Sequence, residues 1–534
     1  MKFMDFWKRS SSAKISRRPA AATTKTKIEQ TPLLLGLKEN IQKIKSDLGN
    51  STDIIFREVR VGKTGENVMG ILYTDGLVDK NVITDFIMES VILNSRITEV
   101  EQLLSSTHDV VHILKEYVLT IGDVKEIHRF EDLYLSLLSG ETIILLDGHT
   151  EGIAVNTQGW KDRGVGEPSA ESVIRGPREA FSETLRTNTS LIRRKIKDPN
   201  LWLETRQIGR VTKTDVAVMY IKGIVNEKVV EEVRLRLDRI DIDGILESGY
   251  IEELIQDDNY SPFPTIYNTE RPDVIAAELL EGKVAILVDG TPFVLVVPAL
   301  FVSFLHAAED YYHRADVSSL IRILRYVGFL IALFSPSMYV AITTFHQEML
   351  PTQLLVSLAA QREGIPFPAF VEAIMMEVAF EILREAGLRM PRTIGPAVSI
   401  VGTLVIGQAA VNAGIISAAM VIVVSTTAIA SFVFPSYSLA NTIRMLRFPF
   451  IILAATFGVF GIIVGIIALI LHMCSLRTFG VPYMSPFAPL ILKDQKDAIF
   501  RLPQWAMFSR PRLINQNNVR RANNVPSQKP KPRS

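Results

Sequence analysis

The sequence is poor in cysteine. Cys474 is the only one in 534 residues, which excludes an intramolecular disulfide and a multi-cysteine metal site. Met1–Lys27 carries eight Lys or Arg and no apolar core segment, so no secretory signal is expected and the soluble N-terminal half is expected in the cytoplasm. Familiar catalytic patterns are missing as well. Gly62-Lys63-Thr64 ends like a phosphate-binding loop, but that motif needs a glycine five positions before Gly62, and Arg57 stands there. His108 and His112 have the spacing of a zinc-protease pair without the Glu that must follow the first His. No Gly-x-Ser-x-Gly elbow occurs. The chain is therefore expected not to be an enzyme and to hold no cofactor or metal. Charge is nearly balanced, with 58 Lys and Arg against 57 Asp and Glu, and no nucleic-acid partner is expected.

The absence that organises the chain is local. Thr393–Ile443 contains no Asp, Glu, Lys, Arg or His. A helix needs about 17–25 residues to cross the hydrocarbon core of a bilayer. Ile394–Val411 and Ile415–Phe434 each meet that length, and Asn412-Ala-Gly414 between them reads as a turn. The two segments are expected to form a tight membrane hairpin. Further apolar segments at Tyr326–Phe345 and Phe448–Leu471 complete four spans. Thr291–Leu305, short and interrupted by Pro298, is a fifth span or an interfacial segment. Four spans place both tails on one side, and five separate them; the distribution of Arg does not decide between the two.

Ahead of this block the sequence reads as soluble α/β, with Leu37–Leu48 helical by spacing and strands at Asp53–Val61, Val68–Tyr73 and Thr142–Asp147. It contains an internal repeat. Leu138-Ser-Gly-Glu-Thr-Ile-Ile-Leu-Leu-Asp-Gly148 matches Leu280-Glu-Gly-Lys-Val-Ala-Ile-Leu-Val-Asp-Gly290, and Leu72-Tyr-Thr-Asp-Gly76 matches Met219-Tyr-Ile-Lys-Gly223 in the same order. The expected organisation is a basic disordered arm (1–32), two α/β subdomains of like topology (33–157 and 175–290) joined by a connector (158–174), a transmembrane helical domain (291–480) and a basic disordered tail (481–534). Pro177 marks an expected helix start, followed by an Arg-rich run through Lys195 that reads as a solvated amphipathic helix.

Two features of the membrane block are candidate sites. Ser399, Gly402, Thr403, Ile406 and Ala410 share one small, partly polar helix face, suited to lining a narrow pore or to close helix packing. Phe370–Glu385 reads as a helix on which Glu377, Glu381 and Glu385 form an acidic stripe. Glu372 instead points with Met375, Met376, Ala379 and Leu383. A carboxylate on an apolar face needs a partner, a water-filled cavity or a proton. It is either a cation-path carboxylate or half of an ion pair formed with Arg384, Arg389 or Arg392 after subunits pack.

Several long strings carry a resemblance. They are Arg175-Gly-Pro-Arg-Glu-Ala-Phe, Ser261-Pro-Phe-Pro, Leu287-Val-Asp-Gly-Thr-Pro-Phe, Pro366-Phe-Pro-Ala-Phe-Val-Glu, Leu383-Arg-Glu-Ala-Gly, Pro391-Arg-Thr-Ile-Gly with Ala397-Val-Ser-Ile, and Arg444-Met-Leu-Arg-Phe-Pro. Between Leu33 and Pro489 the sequence resembles the A subunits of the GerA family of spore germination receptors. The resemblance implies a non-enzymatic, multi-pass subunit of the spore inner membrane that senses nutrients together with a transporter-like B subunit and a lipoprotein C subunit. It also implies a homo-oligomer that conducts or gates ions among membrane lipids. A secondary transporter component and a membrane-anchored scaffold are the competing readings. The first calls for an inverted repeat within the spans, and none is visible; the repeat lies in the soluble lobes.

Overall fold

The computed structural model describes residues 31–61, 67–84, 124–159, 168, 171–389, 407–515 and 518–521. They fall into two compact units. The first holds helix α1 (Leu37–Asp47), strands β1 (Ile54–Val61), β2 (Asn67–Thr74) and β3 (Val124–Ile127), helix α2 (Phe130–Leu138), and strands β4 (Glu141–Leu146) and β5 (Gly152–Asn156). Its sheet has the order β1-β2-β4-β5-β3 and is antiparallel throughout. Leu37, Ile41 and Ile44 recur at helical spacing on α1, and they are buried together with Phe130, Leu133 and Leu137 of α2.

The second unit opens with a copy of the same plan. It has α3 (Leu185–Lys195), β6 (Leu201–Ile208), β7 (Thr214–Ile221), α4 (Glu227–Asp238), α5 (Ser248–Ile255), β8 (Tyr267–Thr269), α6 (Pro272–Leu280), β9 (Val284–Val288) and β10 (Val294–Val297). The sheet order is β6-β7-β9-β10-β8, again antiparallel. The repeat extends to single hydrogen bonds. Asp147 Oδ1 accepts from Leu37 N at 2.8 Å, and Asp289 Oδ1 accepts from Leu185 N at 2.9 Å. Each carboxylate thus satisfies an orphan donor at a helix N-terminus, where negative charge is also favoured. Asn40 closes a ring with Leu34, and Asn188 closes the same ring with Ser182.

Three expectations change here. Thr291–Leu305, considered as a fifth span, contains β10, whose residues pair with both β9 and β8 before a 3-10 turn at Phe301–Leu305. Its apolar run is a sheet strand buried on both faces, so the second subdomain continues past residue 290. The helix expected from Pro177 begins instead at Leu185, where Asp289 caps it. The run on it is not solvated: Arg193 is fully buried and donates to Leu201 O at 2.7 Å.

The remainder is helical: α7 (Ala315–Thr344), α8 (Thr352–Arg362), α9 (Ala369–Arg389), α10 (Ala418–Ser431) and α11 (Tyr437–Ser475). By length and composition α7 and α11 can each cross a membrane. The expected turn at Asn412–Gly414 is present: Gly414 has φ 66° and its N–H bonds Val411 O at 3.0 Å. The helix after it is shorter than the expected Ile415–Phe434 span. Ser417 caps it, Ser431 ends it, and its 14 residues reach about 21 Å against the roughly 30 Å of a hydrocarbon core.

Contacts fix the course of these helices. Ser417 at the start of α10 meets Tyr339, whereas Gly328 packs against Ala430 and Val433, so α10 runs antiparallel to α7. The first arm of α11 runs parallel to α7, with Arg447 against Ala332, Phe450 against Phe334, and Gly458 against Phe345 and His346. At Gly458 the backbone adopts φ 61°, ψ −142° and turns back on itself, so the run expected as one span at Phe448–Leu471 is divided between two arms. Gly465 of the second arm then packs against Phe450 and Leu453 of the first. Both outer ends of α11 consequently reach one stretch of the second subdomain: Thr442 donates to Pro262 O at 2.5 Å, and His472 bonds Ser261 at 2.9 Å.

The C-terminal segment stays on that same side. Thr478 Oγ1 donates to Thr265 O, Phe301 N to Tyr483 O, and Arg510 to Leu280 O. The expected disordered tail is thus ordered through residue 515, with Asp494, Arg501, Arg510 and Asn515 buried. Polar side chains bonded to backbone hold it in place, and sequence periodicity does not register such bonds.

Candidate functional site: paired charges inside the helical part

The acidic stripe of α9 faces arginines of α11. Glu377 Oε2 accepts from Arg447 Nη1 at 2.5 Å, and both side chains are 1% exposed. Arg447 Nε also donates to Ala332 O of α7 at 2.8 Å. One turn on, Glu381 pairs with Arg444 at 2.9 Å. Arg444 is further oriented by Asn441. A turn beyond that, Glu385 pairs with Arg389 of its own helix in the open. The pairs form a ladder that grades from dry to wet along α9. The dry rung joins α7, α9 and α11, because an unpaired charge there would carry a desolvation cost of several kcal/mol.

Glu372 lies off this ladder, at 0% exposure. Its Oε2 accepts from Ser417 N at 2.9 Å, and its other oxygen lies 3.6 Å from Arg362 Nε. Ser417 Oγ in turn accepts from Met420 N and contacts the Tyr339 hydroxyl. The carboxylate therefore sits at the N-terminus of α10, where backbone N–H groups favour an anion. Among the described residues its cation is Arg362 of α8 rather than Arg384 or Arg389; Arg392 lies outside the described residues. Arg384 stands instead beside Glu381 and over the Tyr437 ring.

Of the small-residue face, Ala410 is half-buried and packs against the helical core beside the Gly414 turn. Ser399, Gly402, Thr403 and Ile406 lie outside the described residues. Sequence reasoning found the acidic residues but missed their partners. Arg444 and Arg447 were visible as a pair three residues apart, the same side of one helix turn, which was the available signal.

The chain matches the GerA family, described as Bacillus/Clostridium GerA spore germination protein, over residues 42–513. It belongs to that family. Spore germination protein KA of Bacillus subtilis (strain 168) is 52% identical over 492 residues, covering 92% of this chain and 89% of that protein. The uncharacterized membrane protein YfkQ of the same organism is 45% identical over 493 residues, covering 92% and 93%. The crystal structure of the N-terminal domain of the A subunit of the Bacillus megaterium spore germinant receptor GerK3 aligns with 43% identity and a TM-score of 0.42, covering 51% of this chain and 98% of that one. The family match runs past Pro489 and takes in much of the C-terminal segment.

That segment completes a second charged cluster in this GerA-family chain, at the start of α7. Asp310 is bonded by Arg325 at 2.6 Å and Arg322 at 3.0 Å. Arg322 also holds Asp497 of the C-terminal segment at 2.7 Å, and Tyr311 donates to the same carboxylate. Burial pushes Asp310 upward, but Arg325 and Arg322 outweigh it and hold the carboxyl below its usual range. A cavity of about 520 Å³ lies beside the cluster, between α6, the 300–312 segment and the C-terminal segment.

Glu171, bonded by the Thr269 hydroxyl, carries a pH dependence. Burial pushes its carboxyl up to about 7, with the neighbouring Glu270 adding to the effect. A folded-state value raised above the unfolded one gives stability that is full below about pH 4.5 and lost as pH rises through about 7, worth up to about 3 kcal/mol. Glu171→Gln should remove that slope. Unfolding midpoints of the detergent-solubilised full chain between pH 4.5 and 8 should fall for wild type and stay flatter for the variant. Parallel curves would exclude Glu171 as the source.

Proposed function

We propose that this chain is the membrane subunit of a nutrient germinant receptor in the spore inner membrane, and that it serves as an oligomeric component that conducts or gates ions. It works with a transporter-like B subunit and a lipoprotein C subunit, and it performs no catalysis itself. Family membership supports the germination role. The observation that carries the ionic role is the Glu377–Arg447 pair, dry at both ends among apolar helices, because ionisable groups at such positions mark ion pathways and gates.

In the proposed topology the chain leaves on α7 and returns on the second arm of α11, so the number of crossings is even. The second subdomain and the C-terminal segment share one side. Arg322, Arg325, Arg384, Arg444 and Arg477 lie toward that side, against Arg362 toward the other, and this excess supports reading it as cytoplasmic by the positive-inside rule. His346 and Glu348 lie toward the other.

The test is nutrient-triggered cation release from spores carrying Glu372→Gln or Thr403→Ala, with receptor level checked by immunoblot. The expected result is a normal protein level with release slowed several-fold, or a leak without nutrient. Unchanged release in both variants would favour a scaffold whose helices only anchor it.

A further inference from the structure

Leu490, Leu492 and Phe500 of the C-terminal segment are 68%, 79% and 55% exposed. Three large apolar side chains so close together in a folded segment are costly in water, since burying each contributes about 1.5–3 kcal/mol. Their level along the helical part is fixed twice. Phe487, just before them, stacks edge-on against Tyr326, the first residue of the apolar run of α7, with ring centroids 6.4 Å apart. Arg501, just after them, exchanges two bonds with Ser319: its N–H donates to Ser319 Oγ at 3.1 Å, and that hydroxyl donates to Arg501 O at 3.2 Å.

The neighbouring face of α7 is apolar at the same level. Val317, Leu320, Leu324, Val327 and Leu330 are exposed at i, i+3, i+7, i+10 and i+13, one continuous stripe. The buried Arg322 and Arg325 lie on the other side of the helix. α7 has 30 residues, or about 45 Å, which matches a bilayer with its headgroup layers. Lys493 is exposed between the apolar side chains of the segment. Apolar side chains with interspersed Lys at the end of a span are the composition of an interfacial anchor on an anionic leaflet.

We propose that residues 490–502 form a membrane-interface anchor, with Leu490, Leu492 and Phe500 inserted beside the first turns of α7 and Lys493 at the lipid phosphates. The proposal rests on the reading of α7 as a membrane-crossing helix. The anchor ties the Asp497–Arg322 cluster to the bilayer surface, so the charge junction sits where lipid, helix and cytoplasmic subdomain meet.

The single cysteine makes the test direct. In a Cys474→Ser background, nitroxide labels are placed at Leu492→Cys and Phe500→Cys. Leu330→Cys serves as the mid-span control and Leu235→Cys, exposed on α4, as the water control. The full chain is reconstituted in vesicles of phosphatidylcholine with phosphatidylglycerol, and collisions with oxygen and with a water-soluble nickel chelate are compared. The expected result is an oxygen-to-nickel ratio at Leu492 and Phe500 several-fold above that at Leu235 and below that at Leu330. Ratios equal to Leu235 with Leu330 in lipid would overturn the anchor and leave the crossing intact. A water-like ratio at Leu330 would overturn the crossing and the anchor with it. Shielding of Leu492 and Phe500 from both reagents would mean that a second copy of the chain covers them, which also overturns the proposal.

Discussion

Glu377→Leu should destabilise the protein by about 3–5 kcal/mol, because it leaves the Arg447 guanidinium buried and uncompensated. Arg447→Met should cost a similar amount by stranding Glu377, and it also removes the donor to Ala332 O. The double variant should recover most of the loss, since a buried pair replaced by apolar groups of like volume is often neutral or better. Thermal unfolding of the detergent-solubilised chain, run as a double-mutant cycle, measures this. Singles as stable as wild type, or a double no better than its singles, would contradict the assignment of Glu377 and Arg447 as one unit. The double variant also separates structure from function. If it accumulates normally yet fails to release cations on nutrient addition, the charges act in gating; if release is normal, they only organise the fold.

Gly458→Ala should be nearly as damaging for a different reason. Its φ of 61° with ψ −142° is open essentially to glycine alone and costs another residue about 1–3 kcal/mol. A β-carbon there would also lie 2.7 Å from the His346 ring and 3.1 Å from the Phe345 side chain. Relieving both strains straightens α11, and a straight helix carries the second arm away from Ser261 and Phe263. Loss of that return strands the C-terminal segment. The expected outcome is low accumulation, and in the protein that remains, a C-terminal tag accessible from the opposite side of the membrane. Normal accumulation with the tag still on the wild-type side would contradict the requirement for glycine at the reversal.

These two sites show where sequence reading reaches and where it stops. The repeat was legible because both copies need the same Asp at the same turn, Asp147 and Asp289, to cap a helix that comes from a distant part of the chain. The Gly414 turn was legible because it interrupts an uncharged apolar stretch with Asn-Ala-Gly. The ladder was half legible: i, i+4 spacing placed the carboxylates on one face, but Arg444 and Arg447 lie on another helix, and only packing brings them together. β10 was misjudged because a short apolar run reads alike as a buried strand and a membrane segment. The reversal at Gly458 left no local mark, since several glycines of Phe448–Leu471 look equivalent until one of them takes a positive φ. The C-terminal segment was missed because its order comes from Asp497, Arg501 and Arg510 bonding to distant groups rather than from an apolar stripe.

The central claim, that this GerA-family chain moves ions through its charged helical part, is tested most directly in vesicles. Potassium-loaded vesicles holding the full chain with its receptor subunits would be challenged with nutrient while a potassium electrode reads efflux. The account predicts nutrient-dependent efflux that Glu372→Gln changes at equal protein level. Nutrient binding to the same vesicles without efflux, or efflux indifferent to Glu372→Gln, would contradict it.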